Sequence, residues 1–107
     1  MKRTQYTERG PDPPASIAAA EFSLPELGVG QALVEVLAAP INPSDVLTLT
    51  GLYGMLPPLP AVGGNEGVGR ITAIAGDVTG LAVGQTVLLP VGCGTWTTHL
   101  NLAAKSL

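Results

Sequence analysis

The sequence predicts a mainly β fold, a partly open β-barrel with one short helix. Three observations predict it. Short apolar runs, some alternating with period two, are separated by turns rich in Gly and Pro. Only the segment from Asn42 to Gly51 carries both a helix start and a helix stop. Hydrophobic residues make up 46 % of the 107 residues and charged residues 12 %, which suits one globular core. Aromatics are only 4 %, so that core must rest on Val, Leu, Ile and Ala.

The elements follow in order. Lys2–Thr7 alternates polar and less polar residues and reads as an edge strand. Gly10-Pro11-Asp12-Pro13-Pro14 breaks the chain. Ile17–Leu24 reads as a second strand, although Ala18-Ala19-Ala20 suits a helix by propensity. The run is short and is followed by Pro25 and a turn at 27–30, which favours the strand. Gln31–Ala38 sets Glu35 between Val34 and Val36, the alternation of a half-buried strand. Asn42 can cap a short helix, Pro43 suits its first position, Ser44 and Asp45 suit its first turn, and Gly51 ends it. Glu66–Ala75 and Gln85–Pro90 are two more β-type runs, with a turn at Gly76-Asp77-Val78-Thr79-Gly80 between them. Trp96–Leu102 is the last expected strand. Internal repeats, low-complexity tracts and a second domain are not evident.

Composition excludes several function classes. The net charge is −3, and the five Lys and Arg are scattered, so no basic stripe is available to displace phosphate counterions from a nucleic acid. Cys93 and His99 are the only residues of their kinds, which rules out an intrachain disulfide and any cluster of Cys or His ligands. Cys93 reads as a small packed residue, with a reactive thiol as the alternative. No run approaches the ~18 consecutive apolar residues of a membrane helix. The leading Met-Lys-Arg-Thr-Gln-Tyr lacks a signal core and transit-peptide character, and a cytoplasmic protein is expected.

Two segments carry the most information. Residues 40–53 read Pro-Ile-Asn-Pro-Ser-Asp-Val-Leu-Thr-Leu-Thr-Gly-Leu-Tyr, and residues 60–67 read Pro-Ala-Val-Gly-Gly-Asn-Glu-Gly. The pair resembles the start of the medium-chain dehydrogenase/reductase superfamily. Zinc-dependent members place a Cys in the first segment and Gly-His-Glu in the second. Here Ser44 and Asn65 stand at those positions, and a hydroxyl and a carboxamide are poor zinc ligands. The resemblance is therefore to the zinc-free branch. With Gly94-Thr95-Trp96, it is most similar to the mitochondrial-type 2-enoyl thioester reductases of fatty acid synthesis. It implies a GroES-like barrel for residues 1–107, the N-terminal catalytic lobe of a longer two-domain enzyme. NADPH is the implied cofactor of that parent, and no zinc is expected.

A dinucleotide site needs a strand, a Gly-rich turn and then a helix. After Gly28-Val29-Gly30, Leu33 falls where the third Gly belongs, and Gly64, Gly67 and Gly69 have the wrong order. The chain is thus expected to be an isolated or truncated lobe, inactive alone and lacking the Rossmann domain.

The resemblance implies a catalytic tyrosine at Tyr53. Reduction of an enoyl thioester leaves an enolate, and a phenol, protonated at neutral pH, can stabilise its oxygen or help protonate the α-carbon. The structural alternative is a ring packed beside the loop Pro57-Pro58-Leu59-Pro60. Asn42 is the second catalytic candidate, and its competing use is the helix cap. Trp96 and Pro57 are candidates to line the substrate slot, with a core Trp as the alternative. Asn65 and Glu66 are expected to order the segment below the site. The substrate is expected to be an enoyl thioester of coenzyme A or acyl carrier protein. A quinone, as in NADPH:quinone oxidoreductases of the same branch, is the alternative. A non-catalytic GroES-like module is the reading from a different class. The resemblance leaves room for a homodimer in the full-length parent.

Overall fold

A computed structural model describes residues 1–107. The centre of the fold is the strand β3 (Gln31–Ala38), numbered after β1 (Lys2–Gln5) and β2 (Ala18–Glu21). Alternation places Ala32 and Val34 fully inside, while Glu35 faces water. β4 (Val68–Ile74) pairs with β3 on one side and β6 (His99–Ala103) on the other. β5 (Thr86–Leu88) extends the sheet beyond β4, giving the order β5-β4-β3-β6, antiparallel throughout. The register sets Val34 opposite Ile71 and Leu100, so three aliphatic residues meet at the middle of the sheet.

The main core is Ala32, Val34, Ile71, Val87 and Leu89, with Val36, Leu100 and Cys93 packed against it. Each buried Val, Ile or Leu contributes on the order of 1.5–3 kcal/mol. Gly69 interrupts β4 for a steric reason. A side chain there would run into Val34 and the Glu35 carbonyl.

β1 and β2 form a separate antiparallel pair, with Arg3 opposite Ala20. Pairing with β1 overrides the helix propensity of the alanines. β1 also joins the sheet region, because Thr98 N–H donates to the Lys2 carbonyl at 2.8 Å and Thr4 N–H to the Trp96 carbonyl at 2.9 Å. The mainly β fold is as expected. One element was not: α1 (Pro13–Ser16), a four-residue turn of helix inside the proline-rich break. Pro suits the first helical turn, where its missing N–H has no partner to lose. A short 3₁₀ turn, Ala104–Ser106, follows β6.

The expected short helix is α2 (Pro43–Thr50). Asn42 precedes it in extended conformation, and Gly51 closes it with φ 85°, a left-handed value that favours glycine. Leu49 turns inward and meets Tyr6 and Ala61 in a second, smaller core, bordered by Ile17 and Trp96. That core lies under the candidate site. No helix is long and apolar enough to cross a membrane.

Candidate functional site

Asp45, Thr48 and Leu49 fall three and four residues apart on α2, which puts them on one face. That face forms one wall of a cavity of about 340 Å³. The loop after α2 supplies the opposite wall, with Tyr53 and Pro57. The turn Gly63-Gly64-Asn65 supplies another side. Tyr53 is 40 % exposed, so its ring sits at the rim between solvent and cavity. Most of the remaining lining is aliphatic or glycine, with Tyr6, Asp45, Thr48 and Asn65 as the other polar groups, so the Tyr53 phenol is a hydrogen-bond donor at the edge of a partly apolar slot.

Asp45 fastens two walls together. It is only 3 % exposed. Its Oδ2 accepts from the Asn42 N–H at 2.7 Å, and its Oδ1 accepts from the Asn65 N–H at 2.9 Å. The first bond is one half of a capping box at the start of α2. The second reaches across twenty residues to the Gly63–Asn65 turn. Asn42 Nδ2 donates to Glu66 Oε2 at 2.6 Å. Glu66 is held again through its carbonyl, which accepts from Thr95 Oγ1 at 2.6 Å.

Tyr53 and Pro57 are thus brought to one cavity, while Asn42 and Trp96 are not on its lining. Trp96 lies behind the turn. Its Nε1 donates to the Pro40 carbonyl at 3.1 Å, and its ring fills the space where side chains on Gly63 and Gly64 would project. Gly64 also has φ +100°. The close approach of the indole therefore fixes both glycines, and backbone conformation fixes Gly64 as well. Thr48, Leu49, Met55, Leu56 and Val62 also line the cavity. The helical spacing from Asp45 could have pointed to Thr48 and Leu49. Met55 and Leu56 sit in an aperiodic loop that carries no such signal.

The two positions aligned with zinc ligands lie together. Asn65 Nδ2 donates to Ser44 Oγ at 3.2 Å. The donors spend themselves on each other, and neither is a thiolate or imidazole, so these residues do not fit zinc. No three His, Cys, Asp or Glu side chains gather elsewhere. Nor do the glycines fit a dinucleotide pyrophosphate, which needs the N-terminus of a helix after the turn. Gly30 leads into β3, and Gly67 and Gly69 pack against Leu89 at the start of and within β4.

Two other titratable groups are shifted by burial. Burial pushes the Tyr6 phenol above the ordinary tyrosine value, against the pull of the Arg9 charge. Burial likewise pushes the Cys93 thiol up, partly offset by a hydrogen bond to its own backbone, and its side chain packs on the main core. A raised pKa and apolar packing oppose thiolate chemistry. His99 Nδ1 is 2.9 Å from Thr98 Oγ1, a neighbour on the chain.

Comparison with known proteins agrees with this geometry. The profile of the alcohol dehydrogenase GroES-like domain matches residues 28–104. The mitochondrial enoyl-[acyl-carrier-protein] reductase of Bos taurus is 47% identical over 97 residues, covering 90% of this chain and 26% of that protein. The Etr1p/NADP/crotonyl-CoA complex superposes with a TM-score of 0.85 at 28% identity, over 94% of this chain and 30% of that one. Escherichia coli quinone oxidoreductase complexed with NADPH gives a TM-score of 0.80 at 26% identity, over 97% of this chain and 31% of that one. This chain therefore spans less than a third of each of these proteins.

Proposed function

The chain belongs to the alcohol dehydrogenase GroES-like domain family and is homologous to mitochondrial enoyl-acyl-carrier-protein reductases, and from that premise we propose that it is the catalytic lobe of an NADPH-dependent reductase of 2-enoyl thioesters. On this reading it is part of a longer two-domain enzyme. The observation that carries the proposal is the position of Tyr53, a phenol at the rim of a partly apolar cavity.

The nucleotide would be held by the remainder of the longer protein, where it supplies hydride. What this lobe does can be derived from its own residues. The α2 face, Pro57 and the aliphatic lining exclude water and hold an extended acyl group. Tyr53 donates a hydrogen bond to the thioester carbonyl oxygen as negative charge gathers there, or passes a proton toward the α-carbon. Asp45 fixes the distance between α2 and the Gly63–Asn65 turn. Asn42 and Trp96 act on the site through what they hold, Glu66 and the glycine turn respectively. Coenzyme A and acyl-carrier-protein thioesters are the proposed substrates. A cytoplasmic setting belongs to the same proposal, and fractionation of the source cells tests it against the mitochondrial setting named for the relative.

A quinone is the second reading, favoured by the likeness to the quinone oxidoreductase. The test uses the longer protein and follows NADPH absorbance with crotonyl-CoA and with a quinone. Faster turnover of the thioester is expected. Faster turnover of the quinone overturns the substrate assignment.

A further inference from the structure

Tyr53 and Pro57 sit on the segment Gly51–Pro60, which links α2 to Ala61. Almost every residue of it is exposed. Leu52 and Tyr53 are tied to the end of α2, their N–H groups donating to the Leu47 carbonyl at 3.0 and 3.3 Å. From Gly54 to Pro60 the loop makes one hydrogen bond to the rest of the chain. Arg9 Nη2 donates to the Pro57 carbonyl. Arg9 is therefore the one hydrogen-bonding tether of residues 54–60.

Arg9 is built to hold this loop. Tyr6 and Ala61 exchange two backbone bonds of 3.0 Å each, which fastens the chain before Arg9 to the far end of the loop. Gly10 N–H donates to the Leu49 carbonyl at 3.2 Å, which fastens the chain after Arg9 to the near end. Between these two anchors, the Arg9 methylenes lie over Gly51, where an added Cβ would meet Cδ at 3.6 Å. Arg9 Nε is buried without a partner, so the base of the guanidinium is enclosed. An apolar stem with a planar fork at its tip can cover Gly51 and still reach the Pro57 carbonyl.

We propose that Arg9 is a positioning residue, the clamp that holds the 54–60 loop where Tyr53 can face the cavity. Its catalytic consequence rests on the role assigned to Tyr53 above; its structural part does not. Two measurements separate these. The first is limited chymotrypsin digestion of this chain, since Leu52, Tyr53 and Met55 offer cleavage sites in the segment. Arg9→Gln should raise the rate of loop cleavage about tenfold, the scale of one hydrogen bond to a charged donor. Arg9→Lys, which keeps a long stem and a charged donor, should fall between, and far-UV circular dichroism should stay unchanged for both. Unchanged loop cleavage overturns the clamp.

The second is a double-mutant cycle on kcat with crotonyl-CoA in the longer protein. Arg9→Gln should lower kcat roughly tenfold when Tyr53 is present and much less in a Tyr53→Phe background, because the hydroxyl it positions is gone. Equal losses in both backgrounds overturn the link from Arg9 to Tyr53. If Tyr53→Phe itself changes nothing, the catalytic reading of the lobe fails, and the digestion alone decides Arg9.

Discussion

Replacing Asp45 should do more damage than its place at the start of a short helix suggests. Asp45→Ala removes the acceptor of two backbone donors, Asn42 N–H at 2.7 Å and Asn65 N–H at 2.9 Å. A hydrogen bond to a charged group contributes about 1.5–3 kcal/mol. Relief of the cost of burying a carboxylate offsets part of the loss. A net destabilisation of about 2–4 kcal/mol remains, against roughly 5–15 kcal/mol for a whole domain. At roughly 4–8 °C per kcal/mol, Tm should fall by about 8–32 °C. Asp45→Asn keeps the shape and one acceptor, and should cost about half as much. Urea unfolding followed by circular dichroism gives both values at fixed slope. Amide exchange adds a local test, since the Asn65 N–H should exchange faster in Asp45→Ala even under native conditions. If Asp45→Ala unfolded within ~0.5 kcal/mol of the parent, the carboxylate would be an ordinary surface group and the bracing argument would fail.

The other predictions probe the turn, a buried phenol and the two positions aligned with zinc ligands. Gly63→Ala should cost about 1–3 kcal/mol by overpacking the Trp96 ring, and should shift the emission of this only tryptophan; an unchanged spectrum and midpoint would contradict the packing. The Tyr6 phenol has a folded-state pKa raised above the ordinary value of 10.0, so its stabilising contribution is complete below about pH 10 and is lost as pH rises through the folded value. Urea midpoints between pH 9 and 11 should therefore fall with rising pH, and Tyr6→Phe should flatten that fall. Elemental analysis after dialysis should find far less than one zinc per chain; near-stoichiometric zinc would show that Ser44 and Asn65 were misjudged.

Much of the scaffold was legible because its signals are local. Gln31–Ala38 was read from Val34, Glu35 and Val36, and the strand has those bounds. Asn42, Pro43 and Gly51 marked α2, since start and stop each depend on one or two residues. Residues 13–16 carry only break signals in the sequence, because one helical turn leaves no period to detect. The alanines of β2 needed pairing with β1 to decide them, and pairing is not local. The site divides in the same way. Tyr53 and Pro57 were reached through the motif around them. Asp45 was read only as a helix-start residue, because its bond to Asn65 spans a fold that had yet to be assembled. Arg9 carries no sequence signal for its contact, for the carbonyl it holds lies 48 residues away. Trp96 is a slot candidate by sequence, but it stands behind Gly63 and Gly64, a relation that only the packing reveals.

The most direct test of the central claim is kcat for crotonyl-CoA in the longer protein with Tyr53 intact and with Tyr53→Phe. The ring remains, so packing and KM should change little, while kcat should fall on the order of 10²-fold through loss of a donor used in the transition state. The loss should be smaller with a quinone acceptor, which can draw its protons from water. A wild-type kcat in Tyr53→Phe, or an equal loss with both substrates, would contradict the assignment of Tyr53 to enolate chemistry.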